Sequence, residues 1–299
     1  MSNDMSFLPR SEILSFDELY RVASVFVAHG VKKIRLTGGE PLVRKGVVSL
    51  CEKIAAIPGL DELVITTNGS QLKQLARPLL NSGIKRINVS LDTLCANKFK
   101  LLTRYGSLDG VLAGLQEAKD VGFHQIKLNS VILKGRNDLE VLDLLQFAIT
   151  NEFDITFIEE MPLGDVGRLR KQNFYSSAQI RQEIERNYRL IDSTQTSGGP
   201  ARYKHIEGYI NTRIGFISPH SDNFCATCNR LRLTAEGRLL LCLGHENSVD
   251  LRKLLRCYPN DDQPLIDAVL GALACKPERH QFATDDSVQL LRFMNASGG

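Results

Sequence analysis

Lys33-Ile34-Arg35-Leu36-Thr37-Gly38-Gly39-Glu40-Pro41 reads as a short strand-like run that stops at a glycine pair, an acid and a proline. Glycine opens turn conformations and proline cannot donate to a strand ladder, so the run ends there. The same pattern recurs downstream. Leu63–Thr67 closes on Asn68-Gly69, Ile87–Leu91 closes on Asp92, Ile126–Val131 follows, and Ile155–Ile158 closes on Glu159-Glu160-Met161. Between and before these runs, Phe16–His29, Val47–Ala56, Leu72–Asn81, Leu108–Val121 and Leu139–Thr150 repeat apolar residues at three- and four-residue steps, as amphipathic helices require. Gly30, Gly83 and Gly122 each follow one of these stretches, where a left-handed helix terminus favours glycine. Strands separated by single helices imply right-handed crossovers and a parallel sheet. The expected fold is therefore α/β, a partial (β/α) TIM-type barrel. Any one of the polar strand endings could be only a turn. Repeated at the C-terminal ends of successive strands, where βα loops converge, they argue for a shared pocket.

The chain has 299 residues, enough for one large core or for a core with an appended module. A hydrophobic content of 43% and a charged content of 24% are ordinary for a globular protein. The net charge of +3 gives no global argument for nucleic acid or an anionic membrane surface. No apolar run reaches the roughly 18 residues a membrane span needs. The opening Met1-Ser-Asn-Asp-Met5-Ser carries no basic and apolar leader, so the reading is cytoplasmic. Seven cysteines in such a chain point to metal or core roles rather than disulfides. Cys51, Cys95 and Cys275 lie in apolar, helix-like surroundings and are expected to be buried small hydrophobes. The polar, breaker-rich stretch Ser193–Pro200 suggests a boundary, with residues 1–190 forming the barrel and 191–299 a second module. Short strands are expected around Tyr209–Ser218, and a helix-like tail over Gln281–Met294.

The chemistry concentrates in Cys225-Ala-Thr-Cys228-Asn229-Arg230-Leu-Arg232-Leu-Thr234, followed by Cys242-Leu243. A C-x2-C turn lets two thiolates face one metal, and a third thiolate further on can fold back to it. Three sulfurs leave one coordination position open, and Arg230 and Arg232 beside it would hold an anion there. The pattern suits a metal site for a phosphorylated or carboxylated ligand. Spacing alone leaves alternatives: a closed structural zinc ribbon completed by Cys257, His220 or His245, an iron–sulfur cluster, or no metal at all.

From Phe7 to Gly299 the chain resembles the molybdenum cofactor biosynthesis protein A family, the GTP 3',8-cyclases of the radical S-adenosylmethionine superfamily. The resemblance rests on Phe7-Leu8-Pro9-Arg10-x-Glu12-Ile13-Leu14-Ser15 and on Ile34 to Leu42 with its Gly-Gly-Glu-Pro turn. It continues through Thr66-Thr67-Asn68-Gly69, Ile87–Asp92, Glu159-Glu160-Met161-Pro162, the cysteine–arginine module and the terminal Gly298-Gly299. It implies a barrel with two 4Fe–4S clusters. One, near the N-terminus, cleaves S-adenosylmethionine to a 5'-deoxyadenosyl radical; the other, on Cys225, Cys228 and Cys242, presents a free iron to the GTP base. The product implied is (8S)-3',8-cyclo-7,8-dihydroguanosine 5'-triphosphate, handed to cyclic pyranopterin monophosphate synthase. Carried over by motif, Gly39, Ser90 and Met161 contact S-adenosylmethionine. Arg35, Thr66, Lys127, Arg230 and Arg232 contact GTP, and the Gly298-Gly299 tail enters the site. The resemblance also leaves room for a homodimer.

Two departures qualify the resemblance. In that family a C-x3-C-x2-C motif lies immediately upstream of Phe-Leu-Pro-Arg. Here Met1-Ser-Asn-Asp-Met5-Ser takes its place, and the first cysteine is Cys51. The family's first strand and its leading arginine are missing with it. The expectation is that these 299 residues alone do not generate the radical. Retention of every downstream site residue favours a start placed too far downstream over a decayed enzyme. The second departure is Thr156, where many relatives carry an arginine; Arg168, Arg170 and Arg202 are the candidates to replace it.

Overall fold

The structure, a computed structural model, describes residues 8–161, 173–222, 224–245 and 247–278. They fall into two compact units, one running up to Leu63 and resuming at Cys225, the other lying between Val64 and Phe224. The first unit opens with α1 (Phe16–Ala28), β1 (Lys33–Leu36) and α2 (Val47–Ala55). Ser15 and Glu18 form a reciprocal capping box at the start of α1, satisfying two N–H groups that helix geometry leaves without partners. Gly30, Gly83 and Gly122 have φ of +94°, +90° and +105°, the left-handed termini expected of them.

The second unit is a sheet with helical crossovers. Its strands are β2 (Glu62–Thr67, starting just ahead of the boundary), β3 (Arg86–Ser90), β4 (Ile126–Ile132), β5 (Asp154–Glu159), β6 (Leu190–Asp192), β7 (Arg202–Ile206) and β8 (Tyr209–Ile217). They hydrogen-bond in the order β2-β3-β4-β5-β8-β7-β6. The first five neighbours are parallel, and β8, β7 and β6 form an antiparallel meander. The connecting helices are α3 (Leu72–Asn81), α4 (Ala96–Thr103), α5 (Leu108–Asp120), α6 (Val141–Asn151) and α7 (Ser177–Glu185). The polar stretch Ser193–Pro200 joins β6 to β7 of this sheet.

Strand alternation divides the sheet into two unlike faces. Ile87, Leu128, Ile155, Phe157, Ile214 and Phe216 lie on one face, none more than 3% exposed. The crossover helix α6 lies against β5 and β8. The opposite face carries two polar rows, and its side chains come from register. Thr66 stands beside Asn88, Asn88 beside Lys127, and Lys127 beside Asp154. A second row runs Ser90, Asn129, Thr156, Gly215 and Tyr203.

The first unit resumes with a small antiparallel sheet of β9 (Arg232–Leu233), β10 (Arg238–Leu240) and β11 (Ser248–Asp250), then α8 (Leu251–Cys257) and α9 (Gln263–Ala274). Its core joins Leu14, Val22 and Val25 to Leu239, Leu255 and Leu265, although these segments lie more than two hundred residues apart in sequence. Two arginines close the same seam. Arg256 reaches Glu18 at 2.9 Å and the carbonyls of Ser11 and Ile13. Arg21 reaches Asp262 at 2.5 Å and the carbonyls of Tyr258 and Asp261.

Two cysteine expectations need correction. Cys51 is buried as expected, but Cys95 and Cys275 are exposed. Cys95 is the N-cap residue of α4, a helix its local pattern hides, and Cys275 follows the last residue of α9. Among the described residues no helix is long and apolar enough to cross a membrane.

Candidate functional site

The polar face of the second unit collects Thr66, Ser90 and Lys127 from three successive strands. Thr66 is 8% exposed and Lys127 5%, so neither is a solvated surface residue. Lys127 Nζ donates to the Tyr203 hydroxyl at 3.3 Å, and that hydroxyl donates to Ser197 Oγ at 3.1 Å. Arg213 grips Asp154 through Nε, at 3.1 Å to each carboxylate oxygen, and through Nη2. Asn88 Oδ1, Asn129 Oδ1 and Thr156 Oγ1 are buried on this face and have no hydrogen-bond partner among the described residues. A buried polar atom left in that state costs free energy of order 1–3 kcal/mol, so native proteins retain such atoms where something else bonds them. Three on one face mark it as built for a polar ligand.

Sequence reasoning assigned no role to Asn88, Asn129 or Tyr203. For the two asparagines a signal was present, since each lies two residues from a named site residue and strand alternation puts it on the same face. Tyr203 had no such signal.

At the C-terminal rim, Met161 stands two residues beyond β5 and is half-buried. Just before it, the fully buried carboxylate of Glu159 accepts from the amides of Ser177 (2.8 Å), His220 (3.2 Å) and Ser221 (3.2 Å), and from the Ser221 hydroxyl (2.5 Å). Glu159 thereby fixes the loop that follows β8 and the first turn of α7. On the same rim, burial pushes the Asp92 carboxyl up to about 6, against the opposing pull of the Val131 amide that donates to it at 2.8 Å. Arg202 does not reach Thr156. It pairs in register with Phe216, on the opposite face, and its guanidinium binds Asp222 at 2.5 Å. Arg168, Arg170 and the Gly298-Gly299 tail lie outside the described residues.

In the first unit, Arg35 is part of β1 and Gly39 sits in the turn after it. Among the described residues, a Cβ added at Gly39 would meet nothing within 4 Å, so the space beside this backbone is open. Cys225–Thr227 form a 3-10 turn closed by the Cys228 amide donating to the Cys225 carbonyl at 3.0 Å, which sets the C-x2-C pair on one short turn. Lys276 Nζ bonds the carbonyls of Arg230 (3.0 Å) and Leu241 (2.6 Å), tying the segment after Cys228 to the residue before Cys242.

The three thiols are uncrosslinked and half-buried. Cys228 Sγ accepts from Arg230 Nη2 and Cys242 Sγ from the Gly244 amide, each at 3.4 Å. Burial pushes the Cys228 thiol up, but the Arg230 amide and guanidinium and the Lys276 charge together hold it below the usual thiol range. Sulfurs that accept N–H bonds beside cations are suited to act as thiolate ligands. Among the described residues, no three His, Cys, Asp or Glu side chains close on a single point as for one metal ion. Of the alternative fourth ligands, Cys257 is exposed at the end of α8. The ring of His220 packs edge-on against Phe174, with centroids 5.7 Å apart.

Comparison with known proteins adds an independent line. The radical SAM superfamily pattern matches residues 2–148, and the Molybdenum Cofactor Synthesis C pattern matches residues 153–282. A protein of Pseudomonas aeruginosa named GTP 3',8-cyclase 1 is 59% identical over 299 residues, spanning 100% of this chain and 91% of the relative. A GTP 3',8-cyclase of Pseudomonas putida is 57% identical over 300 residues, spanning 100% and 90%. Among solved structures, SuiB of Streptococcus suis superposes with a TM-score of 0.58 at 16% identity, over 95% of this chain and 71% of that one. That last likeness is one of fold alone. With the parallel strand–helix order described above, it makes the fold a mixed α/β, partial TIM-type barrel.

Proposed function

The chain belongs to the GTP 3',8-cyclase family of radical S-adenosylmethionine enzymes, and from that membership we propose that it acts on GTP in molybdenum cofactor biosynthesis. The reaction proposed is conversion of GTP to (8S)-3',8-cyclo-7,8-dihydroguanosine 5'-triphosphate, with S-adenosylmethionine as cosubstrate. Cyclic pyranopterin monophosphate synthase would then receive the product. The observation that carries the reading is the polar sheet face, where Thr66, Ser90 and Lys127 stand among buried polar atoms that have no partner among the described residues.

On that face Lys127 supplies a positive point charge to the triphosphate, Thr66 a hydroxyl, and Ser90 a donor to S-adenosylmethionine. Met161 would serve S-adenosylmethionine through its backbone on the rim, and Gly39 through close backbone approach. Arg35, Arg230 and Arg232 would bind GTP by bidentate guanidinium contacts. Cys225, Cys228 and Cys242 would hold a 4Fe–4S cluster, to which the N–H-bonded sulfurs of Cys228 and Cys242 are suited. When bound, that cluster supplies an iron coordination site for the guanine base. Lys276 braces the backbone on either side of the ligand set, and Arg230 serves both a ligand sulfur and the anion.

These 299 residues contain no C-x3-C-x2-C set, so we propose that they bind GTP and S-adenosylmethionine and that the conversion above needs a radical-generating cluster whose ligands are not among them. The test is anaerobic equilibrium dialysis with GTP, ATP and S-adenosylmethionine. Saturable binding of GTP in preference to ATP, together with S-adenosylmethionine binding, is expected. Equal affinity for GTP and ATP, or no binding of either, contradicts the reading.

A further inference from the structure

We propose that Tyr203 is a positioning residue for the nucleotide site, holding the Lys127 ammonium in place for an anionic ligand. The inference rests on the reading of Lys127 as a GTP contact. Lys127 and Tyr203 are 5% and 4% exposed and meet across the polar face at 3.3 Å. The direction of the hydrogen bonds matters. The phenol hydrogen goes to Ser197 at 3.1 Å, which turns the phenol lone pairs toward the lysine. Lys127 gives an N–H to that oxygen.

The ring is itself held in a fixed place. Tyr203 pairs in register with Gly215, and a Cβ there would lie 3.1 Å from the tyrosine ring and 2.8 Å from Thr156 Oγ1. A side chain at 215 would force the ring to give by a few tenths of an ångström. The Arg213 guanidinium sits 5.2 Å from the ring centroid, and its charge is taken up by Asp154. Arg213 therefore buttresses the ring while its charge is engaged elsewhere. Lysine has a long, rotamer-rich side chain, and freezing it on binding costs affinity. A rigid phenol anchored at both ends lowers that cost before the ligand arrives. At this level β5 offers Thr156, which carries no charge, so a charge beside it comes from neighbouring strands such as β4 with Lys127.

The test is a double-mutant cycle on the full chain, read as the Kd for GTP and for guanosine by anaerobic equilibrium dialysis. Lys127→Met alone is expected to weaken GTP roughly ten- to a hundredfold, as loss of a charged hydrogen bond does. Tyr203→Phe keeps the ring and removes only the hydroxyl. It is expected to weaken GTP roughly three- to tenfold and to leave guanosine unchanged. In the Lys127→Met background, Tyr203→Phe is expected to add less than about twofold. Ser197→Ala, which removes the outer anchor, should reproduce part of the Tyr203→Phe loss. If Lys127→Met weakens GTP but Tyr203→Phe does not, the positioning role falls and the lysine contact stands. Equal losses from Tyr203→Phe with and without Lys127, or for guanosine as for GTP, also overturn it. If Lys127→Met leaves GTP binding unchanged, the lysine contact and the positioning role fall together.

Discussion

On the sheet of the second unit, Thr66, Ser90 and Lys127 take their places from strand register, with Thr66 and Lys127 buried and Ser90 exposed at the strand end. In the first unit, Cys225, Cys228 and Cys242 sit on a single 3-10 turn and on loops between strands of two and three residues. The sheet face carries its own order, with helices behind it and ion pairs across it. The cysteine module relies on two N–H···S contacts, one bridging lysine and a core some distance along the chain. Preorganised polar faces bind without first ordering themselves, whereas sites of linked loops commonly gain their order from the metal they hold. The two regions should therefore respond differently to loss of their ligands.

The largest contrast is expected from the cysteines. Cys225→Ser should lower bound iron and acid-labile sulfide by more than about tenfold and loosen the module. Hydrogen exchange should rise over β9 to β11 and stay unchanged over β2 to β5. Equal loosening of both units would erase the distinction.

Arg230→Ala and Arg232→Ala come next. Each should weaken GTP binding by about 1.5–3 kcal/mol per charged hydrogen bond lost, measured by the same dialysis. Arg230→Ala should in addition perturb the cluster's absorption, because its guanidinium touches Cys228 Sγ at 3.4 Å. Unaltered affinity in both variants would remove the module from GTP recognition.

Gly215→Ala tests the rigidity of the sheet face. Its new Cβ would meet Thr156 Oγ1 at 2.8 Å, and overpacking of this kind costs about 1–3 kcal/mol, read as a shifted urea midpoint. A neutral result would mean that the face yields easily.

The smallest effect concerns Asp92. Its carboxyl is raised to about 6, so the native state holds the proton more tightly than the unfolded chain does. The favourable contribution is present at low pH and is lost as pH rises from about 4 to about 6. Asp92→Asn keeps an acceptor for the Val131 amide and cannot ionise. Relative to wild type it should gain on the order of 1 kcal/mol between pH 4 and pH 7, discounted for partial exposure. A difference that is flat with pH would contradict the buried assignment.

The parallel strands and their helices were legible because buried apolar runs between breakers leave few alternatives. Each of β1 to β5 falls within a residue or two of its expected place. What escaped was short or long-range. Helix α4 has eight residues and no side-chain cap, so its pattern is weak and the exposure of Cys95 went unseen. Helix α7 carried a readable signal in its Ser176–Gln179 capping box. Strands β6 and β7 flank a polar stretch in which breakers outweigh periodicity. At the candidate site, motif spacing singled out the cysteines and arginines, and Cys225 and Cys228 share one short turn. The Tyr203–Lys127 contact joins residues 76 apart through the order of strands in the sheet, and no local pattern contains that order.

The account stands most directly on metal analysis of the anaerobically purified chain, with Mössbauer spectra taken before and after addition of GTP. It predicts iron and acid-labile sulfide in equal amounts, bound through Cys225, Cys228 and Cys242, with one iron changing its environment when GTP is added. Zinc without sulfide, in a site closed by four protein ligands, would contradict it.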